Sequence, residues 1–162
     1  ALQLTKFNDL VIKKNKLLRK CQGRLRPEAF SFFHFAVDLE NGPCYKKRLV
    51  GCGAGSEYCA VTPNGNIYPC HQFAGEEKYV LGNVFDKKLD ETKRDIFRNS
   101  SLKTKPACAQ CFARYQCSGG CSANAIHING DINKPYYIAC ELMRKRLECS
   151  LYVYAKENLK ID

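Results

Sequence analysis

Four cysteines stand within the fourteen residues CAQCFARYQCSGGC (108–121), with two adjacent glycines before the last of them. Thiols this close must be bridged by disulfides, a metal or an inorganic cluster, because crowded free thiols oxidise. The chain carries eleven cysteines in 162 residues. An odd count leaves one thiol over in an all-disulfide framework. A chain of this length also buries enough surface to fold without bridges. No apolar run approaches the roughly 18 residues of a membrane span, and no signal peptide opens the sequence at Ala1. Reduced thiols and a mixed surface give the expectation of a cytoplasmic protein.

Twenty-six basic against sixteen acidic residues make the formal net charge +10. Charge of that size suggests nucleic acid when it is concentrated on one face. Here it is scattered (Lys13, Lys14, Lys46, Lys47, Lys87, Lys88, Arg144, Arg146) with no basic run. The reading is a solvated surface, with neither a nucleic-acid nor a membrane partner.

Periodicity predicts a helix over 6–22, where Phe7, Leu10, Val11, Leu17 and Leu18 recur among lysines before Gly23. FSFFHFAVDL (30–39) is aromatic and β-branched enough for a buried strand, with His34 inside it as a core residue. YCAVTPNGNIYPC (58–70) predicts a hairpin about Asn64-Gly65. A two-residue type I′ turn there sets Val61 against Tyr68 and Cys59 against Cys70. Residues 86–98 are charged and helix-like. The cysteine block after Pro106 lacks a long period and is expected to be loops with little apolar content. Cys140, Met143, Leu147, Leu151 and Tyr154 form one stripe, which predicts a docked amphipathic C-terminal helix. The fold class is α+β: a short hairpin and strand with helices, around a loop-rich cysteine region.

The wider cysteine series carries the most information. Cys52 is followed by Gly65 and Cys70, then by Cys108, Cys111, Cys117 and Cys121 as C-x2-C-x5-C-x3-C, and then by Cys140. This order resembles the SPASM domain, a C-terminal extension of many radical S-adenosylmethionine enzymes. GCGAGSEYCAVTPNGNIYPCHQFAGEE, LGNVFDKK, CFARYQCSGGCSANA and HINGDINKPYYIACELMRKRLEC, with FFHFAVDLENGPCYKKRLVGCG before them, look like the SCIFF-peptide maturases. Those enzymes join a cysteine sulfur to a threonine α-carbon in a small six-cysteine ribosomal peptide. The resemblance covers roughly residues 30–150.

It implies two [4Fe–4S] clusters. Cys108, Cys111, Cys117 and Cys140 would bind the distal auxiliary cluster, and Cys52, Cys70 and Cys121 the proximal one. The fourth proximal ligand is left between Cys59, Cys44 and an open position for a substrate thiolate. Thiolate ligation with a crossing cysteine has a precedent in two-cluster ferredoxins, and small residues such as Ser118, Gly119 and Gly120 let backbone turn closely around an inorganic core.

The resemblance further implies an upstream domain with S-adenosylmethionine and a third [4Fe–4S] cluster. Its partners would be a cysteine-rich peptide and an electron donor or acceptor protein. No C-x3-C-x2-C, the spacing that holds the cofactor-binding cluster, occurs in this chain. Residues 1–48 are therefore expected to be the trailing end of an upstream radical domain or a linker, residues 49–162 the SPASM domain, and this chain inactive alone. Rival readings are a SPASM enzyme with another substrate, such as a sulfatase, a zinc module, a free-standing ferredoxin-like protein and a disulfide-bridged secreted protein. Cys21 and Cys149 are expected to be structural.

Overall fold

Pro63 decides the shape of the central hairpin. Its ring holds φ near −65°, which suits the second position of a type I turn. The amide of Gly65 donates to the Thr62 carbonyl at 2.8 Å, closing that turn over Pro63 and Asn64. Gly65 then takes φ +84°, the left-handed residue of a three-residue hairpin loop. This corrects the two-residue turn expected from Asn64-Gly65. Strand β1 (Ala60–Val61) pairs with β2 (Asn66–Tyr68) as Ala60 with Tyr68 and Val61 with Ile67. The register is thus displaced by one residue from the expected one. Extended by a pair, it sets Tyr58 rather than Cys59 opposite Cys70. Because side chains alternate across a strand, this slip separates the two thiols. Cys59 is exposed and Cys70 buried.

A Cβ at Gly65 would come within 2.8 Å of Asn83 Oδ1 and of the Phe85 ring. Gly65→Ala is expected to destabilise by about 1–2 kcal/mol from the left-handed backbone alone. Denaturant unfolding checks this; Gly65→Asn, which tolerates that conformation better, should lose less.

The computed structural model describes Leu39 and residues 49–158. The helix expected over 6–22, the strand expected over 30–39 except for Leu39, His34, Cys21 and Cys44 lie outside the described residues. Within them, β3 (Gly82–Asn83) and β4 (Lys88–Leu89) complete an antiparallel sheet in the order β1-β2-β3-β4. Helix α1 spans Glu91–Arg98, shorter than the 86–98 expected, because β4 occupies its start. Asp90 caps it, its Oδ1 accepting from the Lys93 amide at 3.0 Å.

The cysteine block is not a string of loops. It forms short helical turns, α2 (Pro106–Ala109) and α3 (Arg114–Cys117), followed by helix α4 (Ser122–Asn129). Ala113, Ala123 and Ala125 are all buried. Small side chains pack closely enough to bury without the large apolar period that the sequence lacks. Helix α5 (Tyr137–Asn158) forms where expected. Its stripe, however, is not uniformly covered: Leu147 is buried while Leu151 and Tyr154 are exposed. Cys149 is also buried, and at 100° per residue it lies on a different face from Leu147. Burial of the helix is thus not confined to the predicted line, although Glu148 between these two residues is exposed.

Pro43–Glu141 constitute one compact unit, and the chain from Leu142 onward falls in another. The core of the first gathers Ala54, Tyr68, Cys70, Phe73, Phe97, Ala123 and Ile132. Phe73 is its centre. The Phe73 ring lies 4.5 Å from Tyr79, 4.9 Å from His127 and 5.5 Å from Phe97 between centroids. Among the described residues, no helix is long and apolar enough to cross a membrane.

Candidate metal centre

Three connections bring Cys52, Cys70 and Cys121 into one neighbourhood. Cys70 ends the hairpin and precedes the 3-10 turn His71–Phe73. The Gly55 amide donates to Pro69 O at 2.9 Å, tying the Cys52 loop to the strand end beside Cys70. Gly51, at φ +71°, lies so close to the next turn that a Cβ would meet Ser118 O at 3.2 Å. That turn leads to Cys121, whose sulfur accepts a hydrogen bond from Gln72 Nε2 at 3.4 Å. Burial pushes the Cys70 thiol above its ordinary value, and the neighbouring Cys121 and Cys52 push it the same way. The amides of Gln72 and Phe73 act in the opposite direction.

A second neighbourhood forms around Cys108. The Cys108 amide donates to Lys105 O at 2.9 Å, and the Cys111 amide to Cys108 O at 3.1 Å, so Cys111 follows α2 by one tight turn from Cys108. Cys117 closes α3 with its amide on Ala113 O at 2.8 Å. Cys140 lies in the first turn of α5, its amide donating to Tyr136 O at 3.1 Å. The approach to that turn is braced by Asn129, whose Nδ2 donates to Lys134 O at 2.8 Å. Thr104 Oγ1 donates to Asn133 Oδ1 at 2.8 Å, joining the same loop to the segment before α2. Burial raises the Cys108 thiol; the Lys105 charge lowers it, while Cys117, Cys140 and Cys111 raise it further.

Between the two neighbourhoods, Ser118, Gly119 and Gly120 take φ of +59°, +89° and +76° in succession. Three left-handed residues in a row reverse the chain between Cys117 and Cys121. They direct those two thiols into different neighbourhoods.

Among the described residues no disulfide joins the cysteines. Nor do any three cysteine, histidine or carboxylate side chains among them converge closely enough to hold a single metal ion. The thiols are grouped at electrostatic range, not closed around a point. Cys59 is exposed, and Cys149 is buried on α5 with its thiol raised, first by burial and then by Glu148. Sequence reading missed Lys105, which is 3% exposed and faces thiols of both groups. A lone lysine before Pro-x-Cys carries no signal that it is buried.

Unbridged thiols in two groups on a mixed α+β scaffold are the donor type that cysteine-ligated metals and clusters use. The SPASM family model, described as an iron–sulfur cluster-binding domain, matches residues 52–112 of the chain. The match includes Cys52, Cys59, Cys70, Cys108 and Cys111 and ends before Cys117. The chain is also similar to proteins named mycofactocin maturase MftC. That of Mycobacterium ulcerans (strain Agy99) is 33% identical over 127 residues, covering 76% of this chain and 31% of the relative. Those of Mycobacterium tuberculosis (strain CDC 1551 / Oshkosh) and Mycolicibacterium smegmatis (strain ATCC 700084 / mc(2)155) are each 33% identical over 100 residues. In both, 57% of this chain and 24% of the relative are covered. The chain thus spans between a quarter and a third of the length of these relatives.

Proposed function

We propose that this chain is the auxiliary-cluster part of a radical S-adenosylmethionine peptide maturase, and that it holds two [4Fe–4S] clusters. The division of its thiols into two neighbourhoods carries this reading. Cys108, Cys111, Cys117 and Cys140 ligate the distal cluster, and Cys52, Cys70 and Cys121 the proximal one. The donor set fits. All are cysteines, none is bridged, and the backbone between Cys117 and Cys121 is open enough to turn around an inorganic core. When bound, such clusters supply one-electron transfer in support of the radical site. The chain's own residues hold and bias the thiolates: Gln72 donates to Cys121, and the Gln72 and Phe73 amides favour the anion at Cys70.

The relatives' name supports a peptide as substrate. We assign it, from the resemblance, as a six-cysteine ribosomal peptide in which a cysteine sulfur is joined to a threonine α-carbon. The S–H and Cα–H bonds break and the S–C bond forms; the deoxyadenosyl group released from S-adenosylmethionine would take the hydrogen atom from Cα, the thiol proton would go to solvent, and the remaining electron would go to the electron-acceptor protein. The fourth proximal position is open to a substrate thiolate. Cys59 lies off the Cys70 register, which disfavours it as the ligand; exposure alone does not separate it from Cys52, which is also exposed. Replacing Cys44 and Cys59 separately by alanine should leave the iron content intact. An upstream domain holding S-adenosylmethionine and the third cluster, an electron carrier and a reducing cytoplasm complete the reading.

Two four-iron clusters predict about eight irons, with equal sulfide, per chain after anaerobic reconstitution. Zinc in place of iron, or only about four irons, would count against it. The full-length protein, given S-adenosylmethionine, reductant and a six-cysteine peptide, should yield product lighter by one hydrogen pair per crosslink. A second reading, maturation of a different peptide, is favoured by the mycobacterial relatives' name. A protein with full iron that leaves the six-cysteine peptide unaltered would select it.

A further inference from the structure

Lysine is among the residues least often buried, and a buried ammonium is strongly disfavoured without a counter-charge. Lys105 is 3% exposed. Its Nζ donates to Gly119 O at 3.0 Å. A Cβ on Gly119 would come within 3.1 Å of Lys105 Cδ and 3.3 Å of Nζ, so the side chain lies directly against the left-handed turn. An ammonium has three donors; among the described residues, no carboxylate pairs with this one.

The anchor point is informative. Gly119 is the midpoint of the turn from Cys117 to Cys121, and the Lys105 carbonyl accepts the amide of Cys108. Backbone and side chain together tie Lys105 to the segment that carries Cys108 and to the turn that links Cys117 with Cys121. Burial pushes the Lys105 ammonium below its ordinary value, and Cys108, Cys117, Cys121 and Cys52 act in the opposite direction. A buried cation faced only by thiols is balanced once those thiols are thiolates.

We propose that Lys105 is the shared counter-charge of the two cluster-binding groups, a single buried ammonium held by Gly119 that stabilises the anionic, loaded state of both. The proposal rests on the cluster-binding reading above. Each electron added makes a cluster more negative, and a nearby desolvated cation favours that state. Lys105 therefore holds both reduction potentials above the values a neutral residue would give. It is a positioning and tuning residue and touches no substrate.

The test uses the full chain, reconstituted anaerobically, as wild type and as Lys105→Met, Lys105→Gln and Lys105→Arg. Iron, sulfide, far-UV circular dichroism and an EPR-monitored redox titration are recorded for each. At a fixed ambient potential, the reduced-to-oxidised ratio of both clusters should fall about tenfold in the Met and Gln variants. For a one-electron couple that is about 59 mV. Lys105→Arg should stay near wild type. If the neutral variants fold but lose iron that Lys105→Arg retains, the same role is supported through loading. Unmoved potentials in fully loaded neutral variants, or a shift in one cluster alone, overturn it. So does failure of Lys105→Arg alongside the neutral variants, which assigns the residue to packing. A wild type without cluster iron sinks the underlying reading; a loaded wild type with insensitive potentials sinks only the role of Lys105.

Discussion

Cys108→Ala is expected to halve the iron of the reconstituted chain, from about eight to about four, and Cys70→Ala to remove the other half. The two thiols are buried in separate neighbourhoods, one in α2 and one at the end of the hairpin. Each loss should leave the other cluster's EPR signal in place, and the double variant should bind almost no iron. Loss of all iron from either single variant, or of none, would show that the groups are not independent sites.

Loading should also release protons, because the ligand is the thiolate. Burial raises both Cys70 and Cys108, so iron uptake should improve as pH rises from about 7 to about 9. The metal-free chain should behave the opposite way. A thiol whose folded value is raised contributes stability that is complete below its unfolded value. That contribution is lost as pH rises through the folded value. The metal-free denaturant midpoint should therefore fall on going from about pH 7 to about pH 10, and the loaded chain should be less sensitive.

Phe73→Ala should cost about 3–5 kcal/mol, a large share of the 5–15 kcal/mol typical of a domain. Phe73 has no exposed surface and contacts Tyr79, Phe97 and His127 through its ring. The last of these, His127, is itself fixed by Glu76, with Nε2 and Oε1 2.8 Å apart. Little around the ring is free to collapse into the space it leaves. The Phe73 amide also donates to Cys70 O at 3.1 Å, so disorder there should reach the proximal ligand. Denaturant unfolding measures the loss, and iron analysis should show the proximal cluster depleted before the distal one. Phe73→Leu should recover much of the stability. A loss below about 1 kcal/mol for the alanine variant would mean that this core does not hold the unit together.

Several elements were legible because their causes are local. Pro135 ahead of an apolar period marks the start of α5, which begins at Tyr137. Asn64-Gly65 marks a hairpin, and Gly65 does take the left-handed conformation that such a turn needs. The same dipeptide misled on register. Pro63 favoured a type I turn and one more loop residue, and a one-residue slip reverses which thiol faces Cys70. The helical turns of the cysteine block were hidden for a related reason. Four-residue pieces such as Arg114–Cys117 are too short to show a period, and alanines supply their burial without adding apolar bulk.

The cysteine series along the chain, through its resemblance to the SPASM pattern, named the candidate ligands, and C-x2-C, C-x5-C and C-x3-C bound how far each thiol can travel from the next. It also determined that the turn between Cys117 and Cys121 must be small and permissive. Only the tertiary structure decided which side of the hairpin Cys59 occupies, and that Lys105 is buried against Gly119 among thiols of both groups. Those outcomes depend on contacts between segments far apart in sequence. Register, burial and the balance of a buried charge are properties of what a residue packs against, and no local pattern encodes them.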